Sequence, residues 1–386
     1  MTIRIALSCF VVVSMALAAS GGPPQETRGA QFIGVKSFSS FNTAETNEAG
    51  EIVVTSPEFV PLINWDELVV SWDAETPPDG YLKVEARGLA PGLATKYFTM
   101  SLWSADPKRH PRTSVSKQKD KDGNVITDTL FLTKPCDRVQ VRLTLGGSEK
   151  PKLKFLGLCL LDSRAKPDTL PPNQVAWGRT ISVPERSQMA YPNGKVLCSP
   201  TTVSMIMAYW SKELSRPELD HDVPEIVKAV YDSGWKGTGN WPFNTAYAGS
   251  YPGMRGYVTR MTDVSELEDW IAAGLPVGLS ICYDRLRGKG QGPNGHLVVL
   301  VGFTKDGDPI INDPGTSKNV RKVFPRKNLI YAWEHSHNAA YMIYPENAEI
   351  PKDRFGHWER GGMEEKPQAP STNIQTSTKH QHPEKN

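Results

Sequence analysis

Short segments of alternating apolar and polar residues fill the first part of the chain. The clearest of them are residues 67–72, 81–86, 97–103, 128–132 and 139–143. Turn residues separate the segments, as in Pro77-Pro78-Asp79-Gly80 and Asp120-Lys121-Asp122-Gly123. Strands at this spacing, with no helical segments between them, are typical of an antiparallel β-sandwich. We therefore predict a sandwich domain over residues 30–165.

The pattern changes after a proline-rich stretch, which predicts a stiff linker over residues 166–174. Apolar residues then recur at helical spacing, at Val203, Ile206, Met207 and Trp210. Strand-like segments dominate the rest of this half of the chain. The mixture predicts an α+β domain over residues 175–349. Because few contacts are expected to cross such a linker, we expect the second domain to fold by itself.

Both ends of the chain differ from the two domains. At the start, Arg4 precedes an apolar run that ends in small residues. This pattern is typical of an export signal, which we place at residues 1–18, and it predicts a secreted or periplasmic protein. A transmembrane anchor is the alternative, but Ser20-Gly21-Gly22-Pro23-Pro24 ends the apolar run too soon. Beyond Ile350 aliphatic residues become rare, so we expect a disordered tail over residues 350–386.

Composition and charge exclude two classes of partner. The 386 residues include 39% hydrophobic and 22% charged residues, near the averages of globular proteins. The net charge is +2, and acidic and basic residues are interleaved, without the basic stripe that nucleic-acid binding requires. After the signal, no apolar run is long enough to cross a bilayer. We therefore expect neither a nucleic-acid partner nor a membrane span.

Four of the five cysteines lie beyond the signal. Cys136 and Cys159 flank a predicted hairpin of residues 139–145 and 153–158, whose turn would set them almost opposite each other. A disulfide is one interpretation in an oxidising compartment. Two buried thiols are the other. Cys282 ends a strand-like segment, and we expect it to be a core residue.

Cys198 directly precedes a predicted amphipathic helix. The helix is predicted to begin near Pro200, because proline suits the first helical position, where its missing N–H would have no partner anyway. The partial positive charge of a helix N-terminus favours the thiolate over the thiol, and the thiolate is the nucleophilic form. This position therefore suits an attacking cysteine. A buried structural cysteine is the alternative if Cys198 stands alone.

A histidine and a carboxylate follow in the strand-rich half. Gly295-His296 precedes an apolar run, residues 297–303, that is long enough for a central strand. A turn and a second strand then lead to Asp313. Nucleophile, base and orienting acid are the three parts that covalent acyl chemistry needs. An ideal hairpin, however, sets Asp313 across from Leu300, about 13 Å from His296 along the strand, so a bulge or a strong twist must close the gap.

The order Gln188, Cys198, His296, Asp313 resembles that of the papain-like cysteine peptidases. More closely, the second domain is similar to cysteine peptidase family 39, the double-glycine leader peptidases, and to exported stand-alone bacterial relatives of that family. The matching motifs are Val183-Pro184 with Ser187-Gln188, Cys198-Ser199-Pro200-Thr201, Gly239-Asn240-Trp241-Pro242, Ala273-Gly274-Leu275-Pro276-Val277, Gly295-His296-Leu297 and Asn312-Asp313-Pro314. The sandwich also resembles the domain that those exported relatives carry before the peptidase.

The resemblance implies a papain-like fold, in which a helix bearing the nucleophile packs on an antiparallel sheet, and it implies no cofactor. Cys198 would attack a peptide carbonyl while Gln188 and the Cys198 backbone N–H donate to the oxyanion. His296 would give its proton to the leaving amine, and Asp313 would fix the imidazole tautomer. The family commonly has glycine where this chain has Ser199, and we expect that side chain to narrow access beside the sulfur.

Several residues have two interpretations each. Asn240 and Trp241 follow a glycine-rich loop and are predicted to line the substrate cleft, although a loop packed by its own aromatics is the alternative. For Gln188 the alternative is a surface loop residue. Trp72 and Trp103 could bind the faces of sugars or fill the sandwich core.

Three histidines outside the predicted triad are further candidates for metal binding or for the catalytic base. His335 and His337 have metal-like spacing, but no third ligand is evident nearby, so we predict no metal site. His221 is an alternative base, but it lies in a charged loop, where a solvated side chain is expected.

We therefore predict a secreted thiol hydrolase that cleaves peptide bonds, with a peptide or protein as its substrate. The sandwich is predicted either to support the cleft or to contact carbohydrate or the cell wall. One alternative is a related enzyme, namely a cell-wall peptide amidase or an acyl-transferring papain relative. Another is a binding protein that keeps the cleft without the activity.

Overall fold

A computed structural model describes residues 27–44, 50–292, 294–352 and 354–355. The predicted export signal at residues 1–18, and residues 356–386 of the predicted tail, lie outside the described residues. Within the described ranges, no helix is both long enough and apolar enough to cross a membrane.

Strands make up the first domain. In chain order they are β1 (Ala30–Val35), β2 (Asn42–Ala44), β3 (Ile52–Thr55), β4 (Trp65–Glu75), β5 (Tyr81–Ala90), β6 (Leu93–Ala94), β7 (Phe98–Ser104), β8 (Gly123–Ile126), β9 (Thr129–Cys136), β10 (Arg138–Gly146) and β11 (Lys152–Leu161). They form two antiparallel sheets, in the orders β1-β11-β4-β9-β8 and β2-β3-β10-β5-β6, with β7 also paired to β5. Between the sheets Trp72 meets Trp103, with ring centroids 6.0 Å apart. The predicted antiparallel sandwich is confirmed.

The predicted hairpin between β10 and β11 is wrong, because the two strands lie in different sheets. Cys159 pairs with Val69 on one side of β4, whereas Cys136 pairs with Trp65 on the other side. Two strand spacings amount to about 10 Å, more than a disulfide can span. Both thiols are free and buried, and burial raises the pKa of each to about 11.

The second domain mixes helices and strands. In chain order they are α1 (Cys198–Leu214), α2 (Val223–Val230), α3 (Trp241–Ser250), β12 (Met254–Arg260), α4 (Val264–Ala272), β13 (Val277–Cys282), α5 (Tyr283–Leu286), β14 (Gly295–Phe303), β15 (Pro309–Asn312), β16 (Arg321–Val323), α6 (Arg326–Trp333) and β17 (Ala339–Pro345). The strands form one antiparallel sheet in the order β12-β17-β13-β14-β15-β16.

Helix α1 is the central element of the second domain. Its residues from Ser199 to Trp210 are all buried, and it packs on β14 and β13. Polar groups in a helix covered on all sides need partners in the interior. Trp210, for example, donates from Nε1 to the carbonyl oxygen of Ile343 in β17 at 2.8 Å. A buried helix on an antiparallel sheet confirms the predicted α+β fold.

The two domains share a large polar interface, so the expectation that few contacts cross the boundary is wrong. The first sheet of the sandwich covers β12 and α3. Further along the boundary, Trp241 N–H donates to Asp128 at 2.7 Å, and Arg112 Nη1 donates to the carbonyl oxygen of Lys228 at 2.8 Å. The predicted linker also contacts the second domain, since the N–H of Asn173 donates to Glu268 of α4 at 2.7 Å.

Aromatic side chains fill the apolar part of this interface. Phe243 of α3 lies 6.2 Å from the ring of Trp72 and 5.3 Å from that of Trp103. Both tryptophans are buried, at 0% and 5% exposure. The interpretation that they bind sugar faces is therefore wrong, because no sugar can reach them.

The first residues of the predicted disordered tail pack onto the protein. Phe355 is buried between the guanidinium groups of Arg28 and Arg354, which lie 5.2 and 5.3 Å from its ring centroid. Ile350 packs against the core. The prediction of disorder is therefore wrong for this part of the tail.

Candidate active site

Cys198 is the first residue of α1, which begins two residues earlier than the predicted start near Pro200, and its side chain is half-buried. Burial by itself raises the pKa of the thiol. The contact with His296, together with the backbone N–H groups of Leu297 and Ser199 that face the sulfur, outweighs burial and lowers the pKa of Cys198 below its ordinary value. The sulfur therefore holds a negative charge more easily than a free cysteine does.

His296 stands at the start of β14, where pairing with Ile281 of β13 fixes its backbone. Its Nε2 lies 2.8 Å from Oδ1 of Asp313, so the other ring nitrogen, Nδ1, is left for the thiol of Cys198. Burial lowers the pKa of the imidazole, but its bonds to Asp313 and Cys198 outweigh burial and raise the pKa to about 9. The contacts with Asp313 and Cys198 thus favour the imidazolium form of the ring.

The turn and a bulge together close the gap that separates Asp313 from His296 in an ideal hairpin. The turn is centred on Asp306, so that Phe303 pairs with Pro309 and Gly302 with Ile310, which shifts the register by one residue. The bulge shifts it by one more, since Leu300 pairs with Ile311 and Val299 with Asn312. Continuing this register sets Asp313 opposite Val298 instead of Leu300. Two residues, about 7 Å along the strand, then separate it from His296, and the two side chains span that distance.

Three donors hold the carboxylate of Asp313. Oδ1 accepts from His296 and from the backbone N–H of Gly315 at 2.9 Å, and Oδ2 accepts from the hydroxyl of Tyr283 at 2.8 Å. Burial raises the pKa of Asp313, but these donors outweigh it and lower the pKa below its ordinary value. The neighbouring Asn312 donates to the carbonyl oxygen of Val183 at 3.3 Å instead and takes no part in this cluster.

Tyr283 is a site residue that the sequence analysis missed. Its ring stacks on the imidazole of His296, with centroids 4.2 Å apart and planes at 33°. The guanidinium of Arg287 lies 3.9 Å from the centroid of the same tyrosine ring and is held by Asp284 at 2.6 Å. Only the pairing of β13 with β14 brings Tyr283 to His296, and no local motif signals that pairing.

Gln188 is buried, at 3% exposure, so the alternative of a surface loop glutamine is wrong. Its backbone N–H donates to the carbonyl oxygen of Pro314, the residue after Asp313, at 3.0 Å. The loop that leads to Cys198 folds tightly against it, since a Cβ on Gly194 would lie 2.2 Å from the Gln188 carbonyl oxygen. Its Oε1 has no hydrogen-bond partner among the described residues.

The structure does not bring Asn240 to a cleft surface, and its prediction as a substrate-binding residue is wrong. Asn240 is fully buried and caps α3, where its Oδ1 accepts from the N–H of Phe243 at 3.2 Å. Its Nδ2 donates to Asp232 at 2.9 Å, which occupies the rest of the side chain. Trp241 is half-buried and packs against the core, and its contact with substrate stays a prediction.

Three exposed apolar side chains lie on the loop that leads to Cys198 and on a second loop that is bonded to it. Met189, Val196 and Trp235, which we call the apolar rim, are 42%, 68% and 50% exposed. Met189 follows Gln188, and Val196 lies two residues before Cys198. The loop that carries Trp235 is tied to the same place, because Thr238 Oγ1 donates to the carbonyl oxygen of Val196 at 3.2 Å.

Ser199 does not narrow access to the sulfur, contrary to expectation. Its side chain is fully buried and points into the domain, where Oγ lies 2.9 Å from the hydroxyl of Tyr341 in β17. The departure from glycine thus adds a polar contact beneath the nucleophile and leaves the cleft side open.

Two other histidines considered from the sequence, His221 and His337, bind partners away from Cys198. His221 contacts Glu225 through Nδ1 at 2.7 Å and Tyr251 through Nε2 at 2.7 Å, so both ring nitrogens are engaged away from Cys198. His337 reaches across the domain boundary to Glu67, at 3.0 Å. Over the described ranges, no group of three or more His, Cys, Asp and Glu side chains is arranged to hold a metal ion.

Two known families match the chain. Residues 34–160 match the family described as Peptidase C39 N-terminal domain, and residues 180–341 match the Peptidase_C39 like family. None of the curated proteins matches. One similar solved structure is that of the CBM22-1–GH10 modules of the N-terminal endo-1,4-beta-D-xylanase 10B of Clostridium thermocellum, complexed with xylohexaose. It is 8% identical, with 47% of this chain and 35% of that chain covered and a TM-score of 0.16, a likeness too low to carry an argument.

Proposed function

Because this chain belongs to the C39-like family of cysteine peptidases, we propose that it is a secreted enzyme that hydrolyses peptide bonds with Cys198 as its nucleophile. The observation that carries the proposal is the placement of His296 between the Cys198 thiol and the Asp313 carboxylate. A lowered pKa for Cys198 and a pKa of about 9 for His296 favour a thiolate–imidazolium pair at neutral pH.

In the proposed reaction, the thiolate of Cys198 attacks the carbonyl carbon of the scissile bond, and the carbonyl oxygen takes up the negative charge. The imidazolium of His296 gives its proton to the leaving amine, which leaves a thioester on the sulfur. The neutral imidazole then takes a proton from water, whose oxygen attacks the thioester and releases the acid. The thiolate and the imidazolium are restored.

We propose two donors for the negative oxygen, the backbone N–H of Cys198 and the side-chain amide of Gln188. The Cys198 N–H lies in the first turn of α1, where the N–H groups of a helix have no partner within it. Gln188 is supported by its burial beside the loop that leads to the nucleophile. Removal of such a donor typically costs about 10²–10³ in rate.

Asp313 and Tyr283 are proposed to position the imidazole. The carboxylate accepts from Nε2, which leaves Nδ1 for proton transfer at the sulfur. Tyr283 fixes the second oxygen of that carboxylate and covers one face of the ring, which keeps water away from the pair. Tyr283 touches no reacting atom in this scheme and acts through Asp313 and His296.

The apolar rim favours a peptide or protein substrate with bulky apolar side chains near the scissile bond. Burying such side chains against Met189, Val196 and Trp235 supplies binding energy, about 25 cal/mol per Å² of apolar surface. An amidase whose peptide substrate carried small or charged side chains would gain less from this surface. The apolar rim therefore favours the peptidase over the amidase.

The proposal that the enzyme is secreted rests on the export signal predicted at residues 1–18.

Thiol alkylation tests the proposal within one molecule. Iodoacetamide at neutral pH should label Cys198 at least ten times faster than free cysteine, because only the thiolate reacts. The buried Cys136 and Cys159, whose pKa values are raised to about 11, serve as internal controls and should stay unlabelled in the folded protein. Ordinary reactivity at Cys198 would favour the inactive binding protein.

A substrate comparison separates the enzyme classes. The protein and its Cys198→Ala variant are incubated with a library of unfolded peptides and with peptidoglycan fragments. Cleavage of peptides next to apolar residues, abolished in the variant, is the expected result. Release of fragments from peptidoglycan alone would identify the amidase, and transfer of the acyl group to an added amine would identify the acyl-transferring relative.

A further inference from the structure

Strand β12 lies at the edge of the sheet of the second domain, and among the described residues it pairs only with β17. An edge strand of this kind directs every second backbone N–H away from its sheet. In β12 the alternate positions are Met254, Gly256, Val258 and Arg260. The N–H of Met254 donates to the carbonyl oxygen of Tyr251 at 3.1 Å, which leaves three outward donors, those of Gly256, Val258 and Arg260. A buried N–H without an acceptor is costly, so the partners of these three groups matter for the whole domain.

All three outward N–H groups face side chains of the first domain. Gly256 N–H donates to Asp73 Oδ1 at 3.2 Å, and Val258 N–H donates to Ser71 Oγ at 2.9 Å. Arg260 N–H faces the sulfur of Cys159. Ser71 and Asp73 belong to β4 and Cys159 to the adjacent β11. Acceptors on two neighbouring strands of the sandwich therefore follow the alternation of the donors on β12.

The fit around Asp73 is close enough to exclude a chance contact. Asp73 is fully buried, and its Oδ2 also accepts from Arg255 Nη1 at 2.8 Å. On its other side lies α3, where a Cβ on Gly249 would be 1.7 Å from Oδ1. The carboxylate of Asp73 in the first domain thus fits against the second domain only because residue 249 is glycine. Glu67, which shares a face of β4 with Ser71 and Asp73, binds Arg260 at 3.0 Å.

We propose that the function of the first domain is to cap the open edge of the peptidase sheet, so that the two domains form one catalytic unit. The cap lies close to the active site, because Val258 is directly opposite Tyr341, the residue that bonds to Ser199. The first domain is in this view an internal partner of β12 and is not a module that binds a separate carbohydrate. The inference does not depend on the proposed catalysis, because its test reads backbone protection.

Hydrogen–deuterium exchange of the full chain tests the cap. Ser71→Ala removes the acceptor of Val258 N–H and leaves little empty space. Exchange in residues 254–260, and in the paired residues 339–345, should become about tenfold or more faster than in the unchanged protein. Ser56→Ala is the matched control, because Ser56 also accepts a strand N–H at 2.9 Å, but from Val141 within the first domain.

The control should speed exchange in residues 138–146 and leave residues 254–260 unchanged. Asp73→Asn is a second test, at the Gly256 end of β12. The asparagine side chain keeps the shape of the aspartate, but only one of its two terminal atoms can accept a hydrogen bond. Unchanged exchange of residues 254–260 in folded Ser71→Ala and Asp73→Asn would overturn the proposal. Equal acceleration in the Ser56→Ala control would also overturn it, because the loss would then be global.

Discussion

Asp313 in the active site and Asp73 at the domain interface are both almost fully buried carboxylates, yet their pKa values move in opposite directions. Asp313 accepts from an imidazolium, a hydroxyl and a backbone N–H, and its pKa falls below the ordinary value. Asp73 has Arg255, Lys154 and Gly256 around it, but burial outweighs them and raises its pKa to about 7.

The difference agrees with the different roles proposed for the two carboxylates. The proposed mechanism needs the charge of Asp313, and its three donors compensate for burial. At the interface the structure needs an acceptor of the right shape at the right place. A buried ion pair often gives little net stability, because desolvation offsets the attraction. Asp313 should therefore matter for rate, and Asp73 for the association of the domains.

The largest effect is expected at Asp313. Asp313→Ala removes both oxygens and should lower kcat/KM by about 10²–10⁴ with little change in the thermal midpoint. Asp313→Asn should cost less, because its amide oxygen still accepts from Nε2 of His296. Peptide cleavage and thermal unfolding are measured side by side. An Asp313→Ala protein that keeps its rate but unfolds early would show that the two carboxylates have the same role.

The pH dependence of kcat/KM should be bell-shaped and set by the ion pair. Activity should be lost as pH falls through the lowered pKa of Cys198, because the thiolate becomes protonated. It should also be lost as pH rises through about 9, because His296 loses the proton that the leaving amine needs. Beyond each limb the expected loss is about tenfold per pH unit. A single rise near the pKa of an ordinary thiol would contradict the ion pair.

A smaller effect is expected at Tyr283. Tyr283→Phe keeps the stacked ring but removes the donor to Asp313, and it should lower kcat/KM about three- to tenfold. Without that donor the carboxylate becomes more basic and holds the imidazolium proton more strongly. The basic limb of the pH profile should therefore move upward, which a merely structural loss would not cause.

Tyr331→Phe is the matched control for Tyr283. Tyr331 also lies under a guanidinium, with Arg285 4.3 Å from its ring centroid, but it is exposed and touches neither Asp313 nor His296. This variant should leave both the rate and the pH profile unchanged. A shift of equal size in both variants would remove Tyr283 from the proposed mechanism.

The smallest effect on rate, but a distinct effect on stability, is expected at Asp73. Its folded pKa of about 7 lies above the unfolded value of about 3.9, so the folded state holds more protons between these pH values. The contribution of Asp73 to the free energy of unfolding should therefore fall as pH rises from about 4 to about 7, and then level off. Asp73→Asn should remove that slope, a change of up to a few kcal/mol at about 1.4 kcal/mol per pKa unit.

Chemical denaturation at several pH values measures the Asp73 contribution. Asp66→Asn, on the same strand, is the control, because the carboxylate of Asp66 accepts from Ser163 within the first domain. The control should keep the slope of the unchanged protein. A slope that survives in Asp73→Asn would assign the pH dependence to another group.

The sequence could predict the two parts of the site that depend on local pattern. Cys198 is the first residue of a helix whose apolar residues recur at helical spacing, and His296 is near the start of an apolar run long enough for a central strand. Asp313 could be predicted only from the family resemblance, as one of the ordered residues Gln188, Cys198, His296 and Asp313. Its contact with His296 depends on a bulge near Val301, and no residue type there distinguishes a bulge from a regular strand.

The rest depends on what covers each surface, which a local pattern does not contain. Alternation along β4 indicates two faces, but it does not show that the polar face with Ser71 and Asp73 is buried by another domain. Asn240 was assigned to a cleft because it follows a glycine-rich loop, whereas an asparagine before a helix is equally a capping residue. Tyr283 needed the order of the strands in the sheet.

The cap on β12 has a consequence for how the protein is made. Asp73 and Gly256 are 183 residues apart, and the N-terminal part of a chain emerges first, from the ribosome or from an export channel. The sandwich can therefore be complete before β12 emerges. The face of β4 that will contact β12 carries the polar residues Glu67, Ser71 and Asp73, which keep this surface hydrated until the second domain folds against it. When the open edge of β12 forms, its acceptors are already in place, so the edge meets its own chain before it can pair with that of another nascent molecule.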